Sequence, residues 1–141
     1  MKVRRFAPFV AAVALVAVTA CEKPAPQITV ASSGRVVNVD ASRYCFAQCR
    51  DHATATTSIR VRGNTTVSID VPKQVAEKGW ILVLGKDPVS TQPLKTSHYA
   101  LGLGLVKDDQ AEPLPVTIFE FGDGASAQPT GAWKISFLVR Q

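Results

Sequence analysis

The chain is 141 residues long, 46% hydrophobic, with three cysteines and a formal net charge of +5. That size gives one domain able to build a core without structural metals or a dense disulfide framework. The charge is no argument for nucleic-acid binding. Three of the sixteen bases, Lys2, Arg4 and Arg5, precede Cys21, leaving thirteen against eleven acids, a net +2, from Cys21 onward.

Met1–Cys21 reads as an export signal. A short basic n-region is followed by an uncharged, mostly apolar run from Phe6 to Val18, too short for the roughly 20 residues a membrane span needs. It ends in Val18-Thr19-Ala20-Cys21, the pattern of a bacterial lipobox. The small residues let a peptidase close on the backbone, and the thiol accepts diacylglycerol as a thioether. Residues 1–20 are therefore expected to be a cleaved lipoprotein signal peptide. Cys21 is the expected lipidation site, and two acyl chains suffice for stable attachment to a membrane. Residues 21–27 follow as a lipidated Cys and Pro-rich tether, with Pro24 and Pro26 favouring a semi-stiff polyproline II conformation.

From residue 28 to 141 the signals are those of strands. Gln27–Val30 and Arg35–Val39 flank a small polar turn at Ala31–Gly34. Thr57–Arg62 and Thr65–Val71 alternate apolar and polar residues on either side of Gly63-Asn64, which predicts a hairpin closed by Pro72. Lys73–Lys78 has room for one or two helical turns before Gly79. Trp80–Leu84 is apolar at every position, as a central strand requires. Tyr99, Leu101, Leu103 and Leu105 alternate with Ala100, Gly102 and Gly104, which leaves one face nearly bare for the approach of another backbone or a partner. Val116–Phe121 and Trp133–Val139 complete the series. About seven short strands with turn signals between them predict an all-β fold, an immunoglobulin-like antiparallel β-sandwich with Trp80 and Trp133 filling the space between its sheets.

Few residues carry chemistry. Cys45 and Cys49 in an exported chain are expected to form a local disulfide, which constrains a small loop and contributes less than the ~3 kcal/mol of a 15-residue loop. The alternative includes His52, since C-x3-C-x2-H supplies three ligands suited to Cu(I) or zinc. Copper chaperones with a C-x3-C pair use a thioredoxin-like fold with Pro after the second Cys, whereas Arg50 stands here. Blue copper is excluded by composition, because the only Met is Met1 and no Cys lies in the second half. No Gly-x-Ser-x-Gly elbow accompanies His52 or His98, and His98 reads as a rim histidine. Asp108, Asp109 and Glu112, and the pair Glu120 and Asp123, sit among Pro and Gly and read as solvated loop carboxylates. Arg43, Arg50, Arg60 and Arg62 are expected to form a basic patch near the cysteine corner, facing anionic lipid or a partner.

The lipobox with its Lys-Pro tether (Cys21-Glu22-Lys23-Pro24), the paired cysteines in the first third and the phrase Val71-Pro72-Lys73-Gln74-Val75-Ala76-Glu77-Lys78-Gly79-Trp80 together resemble a family of small actinobacterial lipoproteins of unknown function. The likeness covers nearly the whole chain, and its most specific piece is the Val-Ala-x-x-Gly-Trp core. It implies the outer face of a Gram-positive-type membrane and carries over no catalytic residues. The expected function is thus a non-enzymatic envelope lipoprotein: a binding or accessory module for another envelope protein, attached to the membrane through diacylglycerol on Cys21, with no cofactor and no nucleic acid. The alternative is an extracytoplasmic small-ligand or copper or zinc carrier using Cys45, Cys49 and His52.

Overall fold

A computed structural model describes residues 23–52, 56–104, 113–122 and 128–140. The export segment, Cys21, Leu105, Asp108, Asp109, Glu112 and Asp123 lie outside the described residues. The chain folds in the order β1 (Ile28–Ser32), β2 (Arg35–Val39), β3 (Arg43–Cys45), β4 (Cys49–Asp51), β5 (Thr57–Arg62), β6 (Thr66–Asp70), α1 (Lys73–Lys78), β7 (Trp80–Leu84), β8 (Asp87–Pro88), β9 (His98–Gly102), β10 (Leu114–Phe121) and β11 (Pro129–Arg140). Among the described residues no helix is long and apolar enough to cross a membrane.

Two sheets pack as a sandwich, one ordered β2-β1-β6-β9 and the other β4-β3-β11-β10-β7-β8 with β5 also on β11. Side-chain alternation explains the packing. Ile28 and Val30, Val67 and Ile69, Trp80 and Leu82, Val116 and Ile118, and Trp133, Ile135 and Phe137 all point inward and are buried. From β5 to β11 the partition of strands follows the immunoglobulin-like plan, with buried Trp80 on β7 as its central aromatic. The expected strands are all present. The short β3, β4 and β8 were not legible, because two or three residues are too few to display a period.

The β1–β2 hairpin turns at Ser33 and Gly34, whose φ values of 49° and 76° make the type I′ geometry that matches strand twist. The expected hairpin between β5 and β6 is not formed. β5 runs parallel to β11, from Thr57 opposite Ile135 to Arg62 opposite Arg140, while β6 pairs with β1 and β9 in the other sheet. Gly63 and Asn64 therefore carry the chain across the sandwich, not back along it. Their turn is held by the Gly63 N–H on the Arg140 carbonyl at 2.6 Å and by Thr65 Oγ1 on the Arg62 carbonyl at 2.6 Å. Alternation on both sides of a turn reports two half-buried strands and is silent about whether they share a sheet.

β11 organises the larger sheet. β10 covers one of its edges, from Pro129 to Phe137. The other edge is divided, with β3 opposite Gly131 and Ala132 and β5 opposite Ile135–Arg140. The domain thus has a hairpin pole, where β3 and β4 meet the start of β11, and an arginine pole, where β5 meets its end.

Candidate functional site

The residues nearest the expected anchor belong to the hairpin pole. Pro26 is buried, and its carbonyl accepts the indole N–H of buried Trp133 at 2.9 Å, while Gln27 Nε2 donates to Asp40 Oδ1 at 2.6 Å. The last residues of the expected tether are therefore docked on the sandwich and do not form a free spacer. A groove of about 640 Å³ runs along Pro24–Gln27, Asp40, Ala41 and His52. A narrower one beside it, about 150 Å³, is lined by Lys23, Tyr44, Phe46, Gln48, Arg50 and His52 among others.

Cys45 and Cys49 face each other across the β3–β4 register, Cα atoms 3.9 Å apart, and are joined as a disulfide. In that form neither sulfur is a thiolate, so metal binding here requires prior reduction. His52 lies just past β4, exposed, with its backbone N–H on the Ser42 carbonyl at 2.8 Å. Among the described residues no three His, Cys, Asp or Glu side chains are grouped for a metal ion. His98 is a hydrogen-bonded rim residue, its Nδ1 2.7 Å from Asp70 Oδ1.

The four arginines expected to form one patch are split between the poles. Arg43 and Arg50 lie on the paired strands β3 and β4 beside the disulfide, Arg43 opposite Ala132, whereas Arg60 and Arg62 are opposite Leu138 and Arg140. Six to eight residues of strand separate the pairs, about 20–26 Å at 3.3 Å per residue. Arg43 ion-pairs with Asp51 at 3.8 Å, both largely exposed. Arg60 instead shares a groove of about 330 Å³ with Arg35, lined by Val37, Ile59 and Leu138. With Arg62 and Arg140 this makes four exposed arginines at one pole, and no ion pair joins them to an acid among the described residues.

Under the hairpin pole lies a polar cluster the sequence did not announce. Glu120, expected in a solvated loop, is fully buried on β10. Its Oε1 accepts from Lys78 Nζ and Thr130 Oγ1, both at 2.9 Å, and its Oε2 from the Tyr44 hydroxyl at 3.2 Å. The carboxylate thus ties together α1, β3, β10 and β11, with protein donors on both oxygens. A signal was available, because Val116, Ile118 and Glu120 share one parity in the strand and so one face. Lys78 Nζ also stands 5.5 Å above the Tyr44 ring, which packs edge-on against Phe46 and tilted against Trp133. Gly131 is required beside them, since a Cβ there would lie 2.9 Å from Trp133 Cη2 and 3.0 Å from Tyr44 Cδ2.

The cluster makes the fold sensitive to alkali. Burial raises the Tyr44 pKa above its ordinary 10.0, and Glu120 adds to the rise. For Lys78, burial pulls downward but the hydrogen bond and charge of Glu120 outweigh it, so the net shift is up from 10.5. Both groups hold their protons more tightly folded than unfolded. Their stabilisation is complete below about pH 10 and is lost as pH rises through the folded values. Urea denaturation between pH 8 and 11.5 is expected to show stability falling above pH 10, with a shallower fall in Tyr44→Phe.

No curated protein and no solved structure gives a significant match to the chain. Residues 21–100, more than half the length and including the docked segment, the disulfide hairpin and the Val75–Trp80 phrase, match the family described as protein of unknown function (DUF2771). The chain belongs to that family.

Proposed function

We propose that the chain is an actinobacterial-type lipoprotein, exported, lipidated on Cys21 and held on the outer face of the cell membrane, where its sandwich serves as a non-enzymatic module that docks an acidic face of another envelope protein. The anchoring half rests on Val18–Cys21 and the basic, apolar segment before it. The observation that carries the docking half is the arginine pole. Arg35 and Arg60 line an open groove with apolar walls, Arg62 and Arg140 stand two residues further along β5 and β11, and the neighbouring Val36 is 68% exposed. Unpaired guanidinium groups beside apolar surface suit carboxylate-bearing protein surfaces, which they bind bidentately and orient from a distance.

Crosslinking in intact cells tests this, with a photoreactive residue at Val36. A reproducible protein adduct is expected, and Arg60→Glu with Arg62→Glu is expected to cut its yield at least tenfold, since attraction to an acidic partner is replaced by like-charge repulsion. Absence of any reproducible adduct, or an unchanged yield in the double variant, overturns the docking reading. Anchoring is read separately, by incorporation of a labelled fatty acid that Cys21→Ala abolishes.

A further inference from the structure

We infer that the β3–β4 hairpin is a membrane-contacting tip, which lays Phe46 into the interface of an anionic phospholipid bilayer and sets Lys23 and Arg50 among its headgroups. The inference rests on lipidation of Cys21. Three observations lead to it, all at the hairpin pole. First, Pro26 is fixed in the domain by Trp133, and the chain reaches the start of the described residues at Lys23. Cys21 is two residues earlier, so its Cα lies within about 7.6 Å of the Lys23 Cα, two steps of 3.8 Å. A diacylglyceryl thioether there puts the headgroup plane against whatever surface surrounds Lys23.

Second, that surface is the hairpin. Lys23, Phe46, Ala47, Gln48 and Arg50 line one groove of about 360 Å³, and every residue from Phe46 to His52 is exposed. Among the described residues the groove is lined by two bases and no acid. Third, Phe46 is 49% exposed, braced edge-on by Tyr44 with ring centroids 4.8 Å apart. An aromatic held out beside bases is the composition of a bilayer interface contact. The disulfide closes the hairpin directly behind that residue, so the tip needs no ordering on contact. With this pole at the membrane, the arginine pole at the far end of β11 faces outward, free for a protein partner.

The test uses the full-length lipidated protein in vesicles of phosphatidylcholine and phosphatidylglycerol. Trp80 and Trp133 are both buried, so tryptophans introduced as Phe46→Trp or Val36→Trp report over a constant background. Brominated lipid is expected to quench Phe46→Trp and to leave Val36→Trp unquenched. Lys23→Gln and Arg50→Gln are each expected to lower the quenched-to-unquenched ratio of Phe46→Trp about fivefold on anionic vesicles. Phe46→Trp unquenched in protein whose mass shows a diacylglyceryl group on Cys21 overturns the orientation and leaves anchoring intact, as does quenching of Val36→Trp in its place. Crosslinking of position 46 to a protein with no lipid quenching overturns it in favour of a protein contact. A mass without the lipid overturns the anchoring reading and this inference with it.

Discussion

Lys78→Met is expected to destabilise the fold by about 3 kcal/mol, read from urea denaturation, because it leaves the Glu120 carboxylate buried without its cation. Loss of one partner of a buried ion pair costs roughly 3–5 kcal/mol. The lower end applies because the Lys78 side chain is 31% exposed and Glu120 none, so water reaches the position the ammonium leaves. The discriminating arm is the double variant Lys78→Met with Glu120→Gln. Glutamine keeps acceptor and donor capacity toward Tyr44 and Thr130 and removes the charge, so more than half of the lost stability should return. A double variant no more stable than Lys78→Met would show that the lysine stem, packed over Tyr44, matters more than its charge.

Trp133→Ala is expected to cost about 3–5 kcal/mol, the range for deleting a buried aromatic whose site cannot collapse. Collapse is resisted here by neighbours held from several elements: Tyr44 on β3, Gly131 on its own strand and the Pro26 carbonyl. Trp133→Phe separates the two roles of the ring. It preserves most of the apolar volume but orphans the buried Pro26 carbonyl, a loss of about 1–3 kcal/mol. Protease cleavage within residues 23–27 should therefore rise in Trp133→Phe more than global stability falls. Equal changes in both would mean that the segment is held by packing alone.

The parts of this molecule visible in its sequence are those whose cause is local. Alternation over Val67, Ile69 and Val71, over Trp80 and Leu82, and over Trp133, Ile135 and Phe137 follows from the pleat itself, and all of these residues lie in the core. The disulfide was legible because its cysteines are only four positions apart. What local pattern does not contain is the partner of each strand. The Arg60 and Arg62 face was readable as exposed, but its distance from Arg43 depends on β5 pairing with the far end of β11, seventy-eight residues away in sequence. Pro26 was hidden for the same reason, since its role is set by an indole more than a hundred residues downstream. Glu120 was misplaced by its neighbours, Gly122 and Asp123, which suggested a loop, although its parity placed it inward.

The parallel contact between β5 and β11 also bears on how the chain folds. The strand that pairs with β3, β5 and β10 together is the last of the described strands to leave the ribosome. Until it arrives, β5 has no strand neighbour, Glu120 lacks the Thr130 donor, and the carbonyl of Pro26 lacks its donor. Contacts so distant in sequence close slowly, because the entropy of the intervening loop must be lost before they form. The larger sheet therefore closes only after β11 has been made, whereas the β2-β1-β6-β9 sheet does not depend on that strand for its pairing.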